Sequence, residues 1–149
     1  MRRVIIGVAA ALSLLGCEKK PEAPAIEAAP PAVVAEAPPA KTVIEVPDFV
    51  IGTTPEDIKQ GEALFASKGC VACHKVGGGK LVGPDLKGVT ARRDATWIKK
   101  MILRPDVMVK EDEVAKKLLA ETFVPMPNQN VDPKTELPFI LSFLKSAEK

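Results

Sequence analysis

Apolar positions along the chain fall into blocks of unlike period. Val4 to Leu15 is an apolar region broken only by Ser13, and residues 18–47 mix Ala and Pro with no period at all. From residue 54 onward, apolar side chains return at helical intervals. Thr54-Pro55-Glu56-Asp57 reads as an N-cap, a proline at the first helical position and an acidic third residue. It opens a helix to Ser67 with Ile58, Gly61, Leu64 and Phe65 on one side. Trp97 and Met101 lie four apart on a second helix, which Asp94 caps and Pro105 ends; that spacing makes Met101 a core residue. Met108 follows the turn signal Pro105-Asp106 and reads as a loop residue, and Glu111 to Phe123 reads as an amphipathic helix, acidic at its start. Leu137, Ile140, Leu141 and Leu144 follow i, i+3, i+4, i+7 on a final helix, which Thr135 caps and whose first turn holds Pro138. No stretch alternates with period two, so the predicted fold class is all-α.

The apolar run at the start is too short to span a bilayer comfortably. With Arg2 and Arg3 before it and Gly16 after it, residues 1–16 read as an export signal. Leu14-Leu15-Gly16-Cys17 resembles the bacterial lipobox, in which the new N-terminal cysteine carries lipid; Leu15 stands where a smaller residue is usual. Residues 17–47 follow as a lipidated cysteine and a tether. Residues 18–47 hold eight Ala, seven Pro and no glycine, a composition that buries too little apolar surface to fold. Extended at about 3.1 Å per residue, such a segment reaches roughly 90 Å. Residues 48–149 then form the single folded domain. The expected location is the periplasmic side of a bacterial cell envelope, with the lipid on Cys17 in a membrane.

Composition changes this picture in one respect. The 149 residues include six aromatic side chains and no tyrosine, a thin supply for a self-sufficient core. A flat apolar prosthetic group would supply what the side chains lack. Its attachment point is Cys70-Val71-Ala72-Cys73-His74. Two thiols at this spacing can each add to a vinyl group of one haem, and the adjacent imidazole approaches the iron. The signal is specific, because the chain has three cysteines and one histidine, and three of those four residues sit here. A thioredoxin-like pair needs a βαβ setting that the helix before the motif and the Gly-rich loop after it do not provide. A structural zinc site needs four ligands, and no second Cys/His pair exists.

His74 is the only histidine, so a bis-histidine haem within one chain is excluded. Met1 leaves with the signal. Met101, Met108 and Met126 remain as candidates for the sixth iron ligand. Met126 is favoured, because Pro125 and Pro127 hold it in a rigid extended segment that can keep a thioether against iron.

Cys70-Val71-Ala72-Cys73-His74, Gly83-Pro84-Asp85-Leu86, Pro125-Met126-Pro127 and Phe139-Ile140-Leu141-Ser142-Phe143-Leu144 together resemble the monohaem class I cytochrome c family, over about residues 54–147. The resemblance implies the class I cytochrome c fold, helices wrapped around one covalent haem c. It also implies that the Pro84 carbonyl orients the His74 ring, that Leu86 packs on the haem, and that Gly61 lets the first and last helices cross beside Phe143. Ala91 to Phe123 is less standard, and no family role is carried onto it. Within it, Trp97 or Arg93 could donate to a haem propionate, against plain core and plain surface readings.

The expected function is single-electron transfer between respiratory redox partners through a His74/Met126-ligated haem, without enzymatic activity. A filled sixth position leaves no site for substrate, and a thioether ligand raises the potential. A fixed haem subunit of a terminal reductase or oxidase is the alternative, as is an open-site haem enzyme or gas sensor. With the signal and tether set aside, 16 basic and 14 acidic side chains remain, and eight of the basic ones lie between Lys68 and Lys100, with only Asp85 and Asp94 opposed to them. That gradient predicts redox partners with acidic docking surfaces. A monomer that binds no nucleic acid is expected.

Overall fold

The computed structural model describes residues 42–148. The signal, Cys17 and most of the tether lie outside the described residues. Six helices and no strands are present among those described: α1 (Pro55–Ser67), α2 (Val89–Arg92), α3 (Ala95–Leu103), α4 (Pro105–Glu111), α5 (Glu113–Thr122) and α6 (Leu137–Ser146), with a single 3-10 turn at Cys70–Ala72.

Helix α1 begins as its sequence dictates. The Thr54 hydroxyl accepts from the Asp57 amide (3.1 Å) and Asp57 accepts from the Thr54 amide (3.4 Å), a reciprocal capping box followed by Pro55 at the first turn. It packs across α6 at Gly61. A Cβ on Gly61 would lie 2.7 Å from the Phe139 carbonyl carbon and 2.9 Å from the Phe143 Cβ, so only glycine permits the approach. One turn on, the Phe65 and Phe143 rings meet at 5.4 Å and 53°, a tilted pair worth about 0.5–1.5 kcal/mol beyond its area. Leu137, Ile140, Leu141 and Leu144 of α6 are all buried, as their spacing predicts, and with Phe65, Val89, Ile98 and Val131 they form the core.

The start of α6 differs from expectation. Thr135 does not cap it: α6 has no side-chain cap, and Asp132 instead closes the turn that leads into it. Its carboxylate accepts from the Lys134 and Thr135 amides and the Thr135 hydroxyl, and Glu136 reaches back to the Asp132 amide (2.7 Å). A carboxylate accepts several N–H groups at once, which a hydroxyl does less well, and Pro133 starts the turn between them.

The middle of the chain also departs from its sequence reading. Pro105 ends α3 and opens α4, so residues 105–111 are helical and Met108 is buried at 4 % exposure instead of lying in a loop. The helix expected over 111–123 is present as α5 but starts two residues later, because Asp112 adopts an extended conformation and caps it through the Ala115 amide (2.9 Å). The same carboxylate oxygen accepts from the Trp97 indole (3.0 Å). Aspartate competes with the helix for nearby amides, and here it also satisfies a half-buried indole.

Residues 42–53 carry no regular structure yet run along the helical unit. Thr42 donates to Glu111 through amide and hydroxyl, and Lys99, only 7 % exposed, donates to the Pro47 carbonyl (2.9 Å) with its ammonium 4.1 Å above the Phe49 ring. Residues 42–47, assigned by composition to the tether, are therefore in contact with the domain.

At the other end of α5, Phe123 takes the left-handed conformation (φ 57°) that usually ends a helix at glycine. For a bulky side chain that conformation costs about 1–2 kcal/mol.

Candidate functional site

The turn after α1 builds the first part of the site. Gly69 (φ 75°) reverses the chain in a conformation open to glycine, and Cys70, Cys73 and His74 follow on the tight turn, where the His74 amide donates to the Cys70 carbonyl (2.9 Å). Both thiols are unpaired and half-buried. Burial pushes the Cys70 thiol above its ordinary value, with the neighbouring Cys73 a smaller contribution in the same direction.

His74 is oriented by one bond and one surface. Its Nδ1 lies 2.9 Å from the Pro84 carbonyl oxygen. A carbonyl only accepts, so Nδ1 carries the proton and Nε2 keeps its lone pair free for a metal. The ring lies on Gly83, where a Cβ would stand 2.8 Å from Nδ1 and 2.9 Å from Nε2. Gly83 is thus required for His74 to occupy this position.

The loop that carries Pro84 is closed back on the motif. The Gly83 amide donates to the Cys73 carbonyl (2.8 Å) and the Leu86 amide to the Lys75 carbonyl (2.8 Å). Asp85 holds the rest, accepting from the amides of Lys87 (2.8 Å), Gly77 (2.8 Å) and Gly79 (2.6 Å). The Lys87 amide, then those of Gly77 and Gly79, keep the Asp85 carboxyl below the usual carboxylate range. Its contribution to stability is therefore complete above the ordinary value of about 4 and drains away as pH falls toward its own lower one. Thermal unfolding over a pH series should accordingly show a shallower acid slope for Asp85→Asn than for the wild type. Equal slopes would mean that the loop does not stabilise the carboxylate.

Cys70, Cys73, His74, Pro84 and Leu86 all line one cleft, floored by core residues such as Phe65, Ile98, Ile140 and Leu144. Two of the candidate methionines line it as well, Met101 from α3 and Met126 from the loop after α5. Met101 is half-buried at the cleft instead of being sealed in the core. Met108 faces away, into a groove beside residues 42–44. The Met126 segment is held on both sides: the Thr122 hydroxyl donates to the Val124 carbonyl (3.2 Å), the Asn128 side chain to the Leu103 carbonyl (3.0 Å), and Lys68 to the Asn130 carbonyl (3.1 Å). Trp97 lines the cleft, but its indole N–H is already committed to Asp112, and Arg93 stacks 5.5 Å over the Trp97 ring. An imidazole with a free Nε2, two thiols, two thioethers and apolar walls make a donor set that fits a haem. No cluster of three or more His, Cys, Asp or Glu residues suited to a metal ion is present among the described residues.

Sequence reasoning missed Asp85 and Asp112 as organisers of the site. Asp85 stands among glycines whose φ values of 91–93° at Gly77, Gly78 and Gly79 expose a row of amides, a signal legible only once the loop is closed. Asp112 stands at the start of an amphipathic run, and a capping residue type at that place was the available clue.

The cytochrome c family model matches residues 58–148. Among solved structures, cytochrome c from Rhodothermus marinus superposes with a TM-score of 0.64 at 26% identity, covering 72% of this chain and 90% of that one. An engineered Rhodothermus marinus cytochrome c gives 0.62 at 25% identity over the same shares. A further engineered form, bound to a carbene intermediate, gives 0.58 at 28% identity, covering 74% of this chain and 90% of that one. A comparison with curated protein sequences gave no match.

This chain belongs to the cytochrome c family. Membership brings a covalently bound c-type haem, a role in haem-based electron transfer and a place outside the cytoplasm. Among the described residues, no helix is long and apolar enough to cross a membrane.

Proposed function

We propose that the protein is a single-electron carrier whose haem is bonded to Cys70 and Cys73 and ligated by His74 and Met126. The observation that carries this reading is the shared cleft. It places a pre-oriented imidazole, its Nδ1 bonded to Pro84, together with a methionine braced between two prolines. Pro84 fixes the tautomer and orientation of His74 through that bond, and Leu86 supplies apolar wall. When bound, the haem supplies one-electron chemistry; the chain holds it dry and fixes its ligands, so little rearrangement accompanies a change of charge.

The second reading leaves the sixth position open, as in an enzyme or gas-binding haem protein. A structural relative with a carbene bound makes that alternative concrete. Ferrous wild-type protein exposed to carbon monoxide separates the two. An unchanged spectrum is expected; a bound-carbonyl spectrum would sink the carrier reading.

The location reading is that Cys17 carries lipid and that the Ala/Pro tether lets the domain reach its partners from the membrane, instead of fixing it as a subunit of a larger complex. The support is Leu14-Leu15-Gly16-Cys17 and the composition behind it. Mass spectrometry of the mature protein should find acyl chains on Cys17, and an unmodified Cys17 at the mature N-terminus would end that reading.

Partners with acidic surfaces fit the basic side chains that stay exposed on the loop around the motif. Lys68 pairs with Glu136 (2.6 Å), Lys99 is buried, and Arg92 donates to the Asp85 and Lys87 carbonyls. Lys75, Lys80 and Lys87 stay exposed and can steer encounters.

A further inference from the structure

Phe123 is 87 % exposed, and it is held in a left-handed conformation that would suit glycine better. A large apolar ring in water and a disfavoured backbone are two costs at one residue, and nothing within the fold recovers either. Its neighbours on both sides, Thr122 and Val124, line the haem cleft, so the ring projects outward from the cleft's rim. Across that rim Lys80 donates to the Glu121 carbonyl (2.9 Å), tying the loop that carries Leu81 and Val82 to the end of α5. Leu81, which does not line the cleft, is itself exposed at 44 %. The result is an apolar rim formed by Phe123 and Leu81, and the loop that brings Leu81 to it also carries the exposed Lys75, Lys80 and Lys87.

Resting on the electron-carrier reading, we propose that Phe123 is the anchor of the docking surface, inserting into an apolar depression with an acidic rim on the redox partner. The charges bring the partner in, and the ring holds it beside the cleft. Buried aromatic anchors of this kind carry a large share of binding energy at protein interfaces, whereas rim charges act chiefly on the encounter rate. The lysines fix the partner's chemistry as acidic, which favours a redox protein over a second copy of this basic-faced domain.

The test uses the full, haem-loaded chain, with membranes of the cell that makes it as the oxidant. Phe123→Gly should raise the half-saturating concentration for oxidation by those membranes tenfold or more. Its haem spectrum, its rate with ferricyanide and its Tm should show no loss, since glycine relieves the backbone. Phe123→Leu should recover part of the defect. The Phe123→Gly defect should persist in 0.5 M salt, where the defect of a Lys75→Glu/Lys80→Glu/Lys87→Glu variant fades. An unchanged half-saturation in Phe123→Gly would overturn the anchor while leaving the carrier reading intact. Wild-type protein that the membranes cannot oxidise at all would remove the carrier reading and the anchor with it. Self-association in sedimentation that Phe123→Gly abolishes would assign the surface to a second copy and overturn the partner.

Discussion

Replacing Met126 by alanine should abolish the near-infrared sulfur-to-iron charge-transfer band of the ferric protein and open the ferrous iron to carbon monoxide. Met101→Ala should leave the band in place. Both thioethers reach the same cleft, so the distinction rests on how each is held. Met101 projects from a regular helix beside Trp97 and Ile98, where its neighbours define a packing position. Met126 stands between two prolines, in a segment tied down at Val124, Asn128 and Asn130. A ligand must be kept near iron against thermal motion, and a segment with few free torsions does this at least cost in entropy. Losing the thioether should also lower the reduction potential, on the order of 0.1 V within the roughly 0.8 V that axial ligands span. A band that survives in Met126→Ala would transfer the assignment to Met101.

Gly61→Ala should destabilise the protein, against the usual sign for this exchange. In an exposed helix interior, alanine gains about 0.5–1 kcal/mol over glycine. Here the added carbon would press on the backbone of Phe139, which cannot turn aside as a side chain would, and on the Phe143 Cβ. Relief requires α1 and α6 to move apart, loosening the Phe65–Phe143 pair and the buried Ile140. Overpacking of this kind costs about 1–3 kcal/mol net, and each kcal/mol lowers Tm by roughly 4–8 °C in a domain this size. Thermal unfolding of the haem-loaded protein reads the outcome directly. A rise in Tm would show that the helices yield freely at this crossing.

Much of the architecture could be read from the chain itself. The α1 capping box, the Asp94 cap of α3 and the buried spacing of α6 are local matters: a few residues compete for their own amides, or a 3.6-residue period places apolar side chains on one side. The Cys70-Val71-Ala72-Cys73-His74 motif is equally local, since its chemistry depends on five consecutive residues. Where expectation failed, two residues offered the same service and distance in sequence could not choose between them. Asp132 drew the Thr135 amide and hydroxyl into the turn before α6, and Asp112 moved the start of α5 because it could serve Ala115 and Trp97 together.

By itself, then, the sequence determined the helical class and the ends of α1 and α3. Each of these is settled by interactions within about one helical turn. Only the tertiary structure decided that Met108 turns away while Met101 shares the cleft with Met126. It alone showed that Lys99 and Lys68 are spent inside the domain, and that Phe123 is left in solvent beside the site. These outcomes depend on which segments meet after folding, and burial and charge pairing are properties of that meeting.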